Sequence, residues 1–459
     1  MYEIDFSNKI HIHFIGIGGI SMSGLAELLY DKGFSISGSD TKESDLTKSL
    51  EKQGIKIFYG QHSSNIQDTY HLVVYTAAIH KDNEELAEAL RRNIPTLTRA
   101  ELLGQVMRNY KTSIAVSGTH GKTTTTSMIS EILLSTDSDP TLSIGGILKT
   151  INGNFRIGGS DLFVTEACEY TNSFLSFYPK IALILNVEED HLDFFKDIHE
   201  IRQSFHEFAS HIPSDGTLII NGDIDGLDII TKDLNCSIIT YGTSKTNNYS
   251  AKNISYDTLA RPTFTLCKDG NESGVYSLGV TGEHNIMNAL AAIATAELLQ
   301  VDLNLIKKSL LTFSGTERRF EYKGEVNGFT IIDDYAHHPT EISATLNAAK
   351  NYPHKTTWCV FQPHTYTRTK AFMKEFAKAL SIADKVVLAD IYAARETDHL
   401  GISSETLKNE VERLGTEVYY MNSFEEIEKF LLKNCLHGDL LITMGAGDIV
   451  KVGENLIKK

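Results

Sequence analysis

The stretch Ile114-Ala115-Val116-Ser117-Gly118-Thr119-His120-Gly121-Lys122-Thr123 governs the reading of the chain, because it runs from a buried strand through a glycine loop into a helix. Small and apolar residues before the loop suit a parallel strand, and Met128, Ile129, Ile132 and Leu133 after it recur at helical spacing. Gly118 and Gly121 let backbone N–H groups converge on a triphosphate at a helix N-terminus, where partial positive charge gathers. Lys122 then reaches toward the β- and γ-phosphates, and the Thr123 hydroxyl toward Mg²⁺. The longer phosphate-loop pattern has glycine where this chain has Val116, so the match is to a shortened G-T-x-G-K-T form. An ordinary strand-to-helix turn explains the glycines but gives no reason for Lys-Thr.

Toward the N-terminus, His11–Ile15 reads as a strand leading into the glycine turn Gly16-Ile17-Gly18-Gly19-Ile20-Ser21 and a helical run from Leu25 to Tyr30. The turn resembles a dinucleotide fingerprint with Ser21 in place of its third glycine, a weak signal alone. Ser39-Asp40 ends the next strand, and Asp40 lies 22 positions after Gly18, about where such folds contact a ribose hydroxyl. The turn recognises pyrophosphate rather than a base, so a nicotinamide cofactor and a nucleotide-sugar both fit. A further strand at Leu72–Thr76 leads through His80 to a helix at Glu84–Arg91.

Beyond the phosphate loop, one strand runs into Glu166 and another, Ile181–Val187, into Glu188-Glu189-Asp190-His191. Ligands bind outside the carboxyl ends of parallel strands, so Glu166 and His191 are candidate metal residues; a hydrogen-bonding role for His191 also fits, since Mg²⁺ prefers oxygen. Cys168 reads as a packed neighbour. The polar, strand-rich stretch from about 249 to 280 suggests a small antiparallel sheet. Asn285 and Asn288 open an Ala-rich helix, where pattern favours capping over contact with an adenine base. Arg318-Arg319 reads as a solvated pair or as a phosphate contact. From Phe329 onward strands and helices alternate, with polar loops at Asp333–Glu341 and Gln362–Arg368 suggesting a small polar substrate at neighbouring strand ends. Met444–Asp448 forms another glycine turn.

The 459 residues are too many for one core and suggest about three domains. The formal net charge of −16 disfavours nucleic acid, which needs clustered Lys and Arg. No basic-then-apolar opening and no long apolar run occur, so a cytoplasmic chain without membrane insertion is expected. The five cysteines lack C-x-x-C spacing, which argues against disulfides and thiolate metal sites; most are expected to be core thiols.

Taken together, Gly16-Ile-Gly-Gly-Ile, Gly118-Thr-His-Gly-Lys-Thr, Asn186-Val-Glu-Glu-Asp-His191, Gly282-Glu-His-Asn-Ile-Met-Asn288, Arg318-Arg319-Phe320 and Asp333-Asp-Tyr-Ala-His-His-Pro-Thr340 resemble the Mur ligases, in order and along the whole chain. The resemblance implies an α/β chain of three domains. A Rossmann-like UDP-sugar domain covers 1–108, a phosphate-loop ATPase-type sheet 109–315, and a second Rossmann-like domain, closing on ATP and the amino acid, 316–459. Within the family, the Gly16 turn and the His-His-Pro-Thr loop resemble members that join L-alanine to UDP-N-acetylmuramate, using ATP and Mg²⁺, as a monomer or homodimer. The alternatives are attachment of a preformed murein peptide to the same sugar, a dehydrogenase, or a nucleotide-switch module. The implied sites are Gly118, Thr119, His120, Gly121, Lys122, Thr123, Thr124, Asn285, Asn288 and Arg318 for ATP, and Thr123, Glu166 and His191 for metal. For the substrates they are Gly18, Gly19, Ile20, Ser39, Asp40, His80, Tyr335, His337, His338 and Arg368. Catalytic roles fall to Lys122, His191, Arg318, Arg319, His337 and His338. The chain departs from the family at Ser21, at Thr365 where many relatives have arginine, and in having no lysine after His191 suited to a carbamylated metal bridge.

Overall fold

The computed structural model describes residues 2–394, 396–398 and 400–458. Three sheets follow one another along the chain. The first holds β1 (His11–Ile15), β2 (Ser35–Asp40), β3 (Lys56–Tyr59), β4 (Leu72–Tyr75) and β5 (Thr96–Thr98), all parallel in the order β3-β2-β1-β4-β5. β1 is buried from Ile12 to Ile15 and carries the glycine turn at its carboxyl end, the place where a parallel sheet presents ligands.

The second sheet contains β6 (Thr112–Ser117), β7 (Thr141–Leu148), β8 (Gly153–Arg156), β9 (Leu162–Glu166), β10 (Ile181–Ile184), β11 (Thr217–Asn221), β12 (Ser237–Gly242), β13 (Tyr249–Tyr256), β14 (Pro262–Lys268) and β15 (Asn271–Ser277). Its order, β15-β14-β13-β12-β11-β10-β6-β9-β7-β8, puts β6 and its phosphate loop between β10 and β9. Glu166 and the Glu188–His191 segment therefore flank the loop. The strands β13–β15 pair antiparallel as expected, and β13 also pairs parallel with β12, so they extend the main sheet at one edge.

The third sheet has β16 (Glu321–Val326), β17 (Phe329–Asp334), β18 (Thr357–Phe361), β19 (Lys385–Leu388), β20 (Glu417–Tyr420) and β21 (Leu440–Met444), in the order β16-β17-β21-β18-β19-β20 with β16 antiparallel. The polar loops after β17 and β18 are thus not at adjacent strands. β21 lies between them, and its glycine turn completes the same rim.

The first two sheets share one apolar cluster, in which Phe14, Leu25 and Leu102 join Phe163, Phe174 and Phe205, whereas the third sheet packs within itself. The first two domains are therefore welded by hydrophobic burial, and the third meets the second largely through the polar contacts described below. At the weld, a Cβ on Gly104 would lie 1.9 Å from the Ser176 carbonyl oxygen. Gly104→Ala is expected to cost about 1–3 kcal/mol as overpacking, read as a lower thermal unfolding midpoint; an unchanged midpoint would contradict this docking. No helix among the described residues is long and apolar enough to cross a membrane.

Candidate active site

In the first domain, the N–H groups of Gly16 and Ile17 donate to the Ser39 carbonyl at 2.8 and 3.0 Å, and Gly18 N–H donates to Asp40 Oδ2 at 2.9 Å. The Ser39 hydroxyl donates to the fully buried Glu85. Ser39 and Asp40 thus shape the turn, and Asp40 Oδ2 is engaged by its backbone. Gly19, Ile20 and His80 face solvent around this turn, with Ile20 52 % exposed at the start of a helix.

The phosphate loop is held from β10. His120 N–H donates to Asn186 Oδ1 at 2.7 Å, the Asn186 amide donates back to the His120 carbonyl at 3.0 Å, and Glu188 N–H donates to Thr119 Oγ1 at 3.0 Å. Gly118 and Gly121 have φ of 140° and 83°, values that favour glycine. Lys122 Nζ donates to Glu169 Oε2 at 2.9 Å, to the Thr119 carbonyl at 3.0 Å, and to the Gly118 carbonyl. Thr123 Oγ1 donates to Glu166 Oε2 at 3.1 Å, while Gly145 N–H donates to the other Glu166 oxygen. Burial pushes the Glu166 carboxyl up from its ordinary value, so nearby positive charge would stabilise its ionised form. His191 lies beside Glu169 and Asp190: its Nε2 is 3.7 Å from each, and its ring stacks on Tyr170.

A cavity of about 360 Å³ opens beside the loop, lined by His120, Thr124, Asn285, Asn288, Arg319 and Asp334 among others. Asn285 and Asn288 do not cap their helix, which starts without a side-chain cap. The Asn288 amide donates to Asn285 Oδ1 at 2.9 Å, and Asn288 Oδ1 accepts from the Thr125 hydroxyl at 3.3 Å, which ties this helix to the helix Lys122–Leu134 that follows the loop. The two arginines divide. Arg318 donates to Asp333 Oδ2 at 2.9 Å and to the Gly445 carbonyl at 2.6 Å, an internal tie rather than a solvated pair. Arg319 reaches the cavity, 3.8 Å from Glu341, and both guanidinium groups lie over the Tyr335 ring. Burial raises the Asp334 carboxyl to about 6 against the opposing pull of Arg319.

A second cavity of about 180 Å³ lies between Tyr170, Asp190 and His191 on the middle domain and His364, Thr365 and Arg368 on the third. Arg368 Nε donates to Asp190 Oδ1 at 3.1 Å across this gap. Burial alone would raise the Asp190 carboxyl; Arg368, with His191 and His338 nearby, overrides it and holds it well below the carboxylate range. Thr340 Oγ1 donates to Glu188 at 2.8 Å, a further tie between these domains. His120, flanked by Glu188 and Glu341, is raised to about 9 against the opposing effect of burial, so it is an imidazolium at neutral pH. His337 and His338 are instead pushed down to about 4, chiefly by burial. His337 Nδ1–H donates to the Tyr335 carbonyl at 3.1 Å, leaving Nε2 as the bare nitrogen. His338 caps the following helix, its Nδ1 accepting from Thr340 N–H.

Four side chains that sequence reasoning left without a role organise this site: Glu169 pairs Lys122, Asn186 brackets the loop, Asp190 meets Arg368, and Glu341 joins His120, His337 and Arg319. Only Glu341 had a legible signal, three residues after a helix cap. Cys168, two residues beyond the end of β9, is exposed rather than packed; Cys267, Cys359 and Cys435 are buried.

A phosphate loop flanked by two carboxylate-bearing strand ends, with a third domain tied across it, is the arrangement of an ATP-using ligase. Family models match all three parts: "Mur ligase family, catalytic domain" over residues 11–111, "Mur ligase middle domain" over 116–296, and "Mur ligase, glutamate ligase domain" over 318–447. The chain belongs to the Mur ligase family. It is 60% identical to the UDP-N-acetylmuramate–L-alanine ligases of Lachnospira eligens and Agathobacter rectalis, over 100% of each chain. Among solved structures, it is similar to UDP-N-acetylmuramate-alanine ligase from Thermotoga maritima, with TM-score 0.80, 30% identity and 98% of each chain covered. It also resembles a murein peptide ligase from Psychrobacter arcticus, with TM-score 0.69, 26% identity and 98% of each chain covered.

Proposed function

We propose that this chain joins L-alanine to the lactyl carboxylate of UDP-N-acetylmuramate, with ATP converted to ADP and phosphate, in peptidoglycan synthesis. The observation that carries the reading is a pair of cavities bordered by the one segment after β10: Asn186 and Glu188 line the first together with His120 and Gly121 of the phosphate loop, and Asp190 and His191 line the second together with Arg368. Full-length similarity to ligases of that name supports the choice of substrates. In this reading residues 1–108 hold the UDP-sugar on the Gly16–Ile20 turn, 109–315 hold ATP, and 316–459 hold the amino acid and close over both.

A carboxylate is a poor electrophile because its leaving group would be oxide. The lactyl carboxylate therefore first takes the γ-phosphoryl group of ATP, forming a C–O–P bond as the bond to ADP breaks. The amine of L-alanine then attacks the acyl carbon, and inorganic phosphate leaves with the C–O electron pair. Lys122 and Arg319 neutralise charge on the transferring group. The oxygen donors of Thr123 and Glu166 fit Mg²⁺, with His191 beside Glu169 offering a second position; the ion would supply charge neutralisation at the phosphates. His337, kept neutral with Nε2 bare, is the acceptor for the amine proton. The Thr340–Glu188 and Arg368–Asp190 ties close the third domain and keep water from the acyl phosphate.

The competing reading is a ligase that attaches a preformed murein peptide, as the name of the Psychrobacter arcticus protein describes. The second cavity, about 180 Å³, is small for a tripeptide and suits a single small amino acid. Phosphate release measured with UDP-N-acetylmuramate plus either L-alanine or a tripeptide separates the two. Release with L-alanine alone is expected; release only with the tripeptide would favour the competitor, and indifference to both would sink the ligase reading.

A further inference from the structure

His120, Glu188 and His338 converge where the second and third domains meet, each presenting a ligand atom within 4.8 Å of the other two. His120 and Glu188 come from the loops after β6 and β10, and His338 from the loop after β17. The acyl-phosphate chemistry uses none of these three side chains for bond making. Two observations set the cluster apart from ordinary surface polarity. His338 is only 4 % exposed, and its Nε2 has no hydrogen-bond partner. The His120 Nε2 is likewise buried without one, 3.7 Å from Glu188. The His338 nitrogen, buried with nothing to bond, is costly and marks a place built for something else; His120, an imidazolium between Glu188 and Glu341, gives up its Nε2 proton when a cation binds there.

We infer that His120, Glu188 and His338 form a binding site for a borderline divalent cation of the Zn²⁺ type, distinct from the Mg²⁺ position at Thr123 and Glu166. Two imidazoles and a carboxylate are a donor set for Zn²⁺ more than for Mg²⁺, which prefers a shell made mostly of oxygen. Bonds of about 2.0–2.1 Å to a tetrahedral ion put neighbouring ligand atoms about 3.4 Å apart, so a side-chain adjustment of roughly 1 Å closes the set. Binding through His338 Nε2 moves its ring proton to Nδ1 and gives up the long contact from Thr340 N–H, 3.4 Å. Glu341, 3.3 Å from His120 Nδ1, stands behind the site as a carboxylate that orients the His120 ring. Because its ligands come from two domains, the ion staples the third domain shut and acts as an inhibitor of opening.

The test is a Co²⁺ titration of the full-length protein in excess Mg²⁺, which fills the oxygen site, followed by visible absorption. One equivalent with the intense band of four-coordinate Co²⁺, displaced by Zn²⁺, is the expected result. His338→Gln and Glu188→Gln, one from each domain, should each weaken binding at least tenfold and remove the band. Thermal melting identifies a variant that has lost its fold, and the other variant then decides. No band in the unmodified protein, or a band that survives either folded variant, would overturn the site. The readout is metal binding rather than turnover, so its outcome is separate from that of the ligase reading.

Discussion

Lys122→Ala is expected to lower turnover by on the order of 10³-fold while leaving UDP-N-acetylmuramate binding nearly unchanged. The ammonium is the cation at the mouth of the phosphate loop, bonded to the Thr119 carbonyl and to Glu169, and a transferring phosphoryl group needs charge neutralised there. The glycine turn assigned to the UDP-sugar is on a different sheet, which is why its affinity should survive. One complication follows from Glu169, which is only 3 % exposed. Removing Lys122 strands that carboxylate, and breaking a buried pair costs about 3–5 kcal/mol. The double variant Lys122→Ala/Glu169→Gln should recover much of the stability and none of the turnover. Turnover measured with phosphate release and sugar affinity by calorimetry separate the effects; loss of sugar binding in a folded variant would mean that the domain roles are misassigned.

The two adjacent arginines should behave differently. Arg319→Ala is expected to reduce kcat by about 10²–10³-fold with little change in stability, because its guanidinium lines the nucleotide cavity and its nearest carboxylate, Glu341, is 3.8 Å away. Arg318→Ala should instead act through the fold. It removes the bonds to Asp333 and the Gly445 carbonyl and leaves the fully buried Asp333 without its cation, at a cost of about 3–5 kcal/mol. Burial already pushes the Asp333 carboxyl up despite Arg318, so the stranded acid should take up a proton and soften that loss. Thermal melting and steady-state kinetics on both variants check this division; an Arg319 variant with normal kcat would remove it from the chemistry.

Much of this was legible in the sequence, and for identifiable reasons. A phosphate loop needs its glycines, lysine and threonine at fixed spacing, so Gly118–Thr123 announced itself. Parallel strands buried on both faces are continuous apolar runs, so β1, β10 and the C-terminal strands were readable. What local pattern did not carry were contacts between distant segments. Glu169 and Lys122 are 47 residues apart, and Asp190 and Arg368 are 178 apart. Asn285 and Asn288 looked like caps because Asn at a helix start usually is one, and only the packing of that helix on the phosphate loop redirects them. The antiparallel character of β13–β15 was readable from the switch away from strand-helix alternation, whereas the two-residue pairing of β12 with β13 that joins them to the main sheet was not. The unequal fates of Arg318 and Arg319 depend on Asp333 and Gly445, which no spacing rule links to them.

The central claim is that a carboxylate is activated as an acyl phosphate at the Gly118–Thr123 loop. It is tested most directly by UDP-N-acetylmuramate labelled with ¹⁸O in its lactyl carboxylate, incubated with ATP, Mg²⁺, L-alanine and the protein. Mass analysis of the phosphate released should find one ¹⁸O per phosphate formed, because the bond broken by the amine lies between the acyl carbon and a labelled oxygen. Unlabelled phosphate accompanied by product would contradict the account, since the γ-phosphoryl group would then have gone to water rather than to the carboxylate.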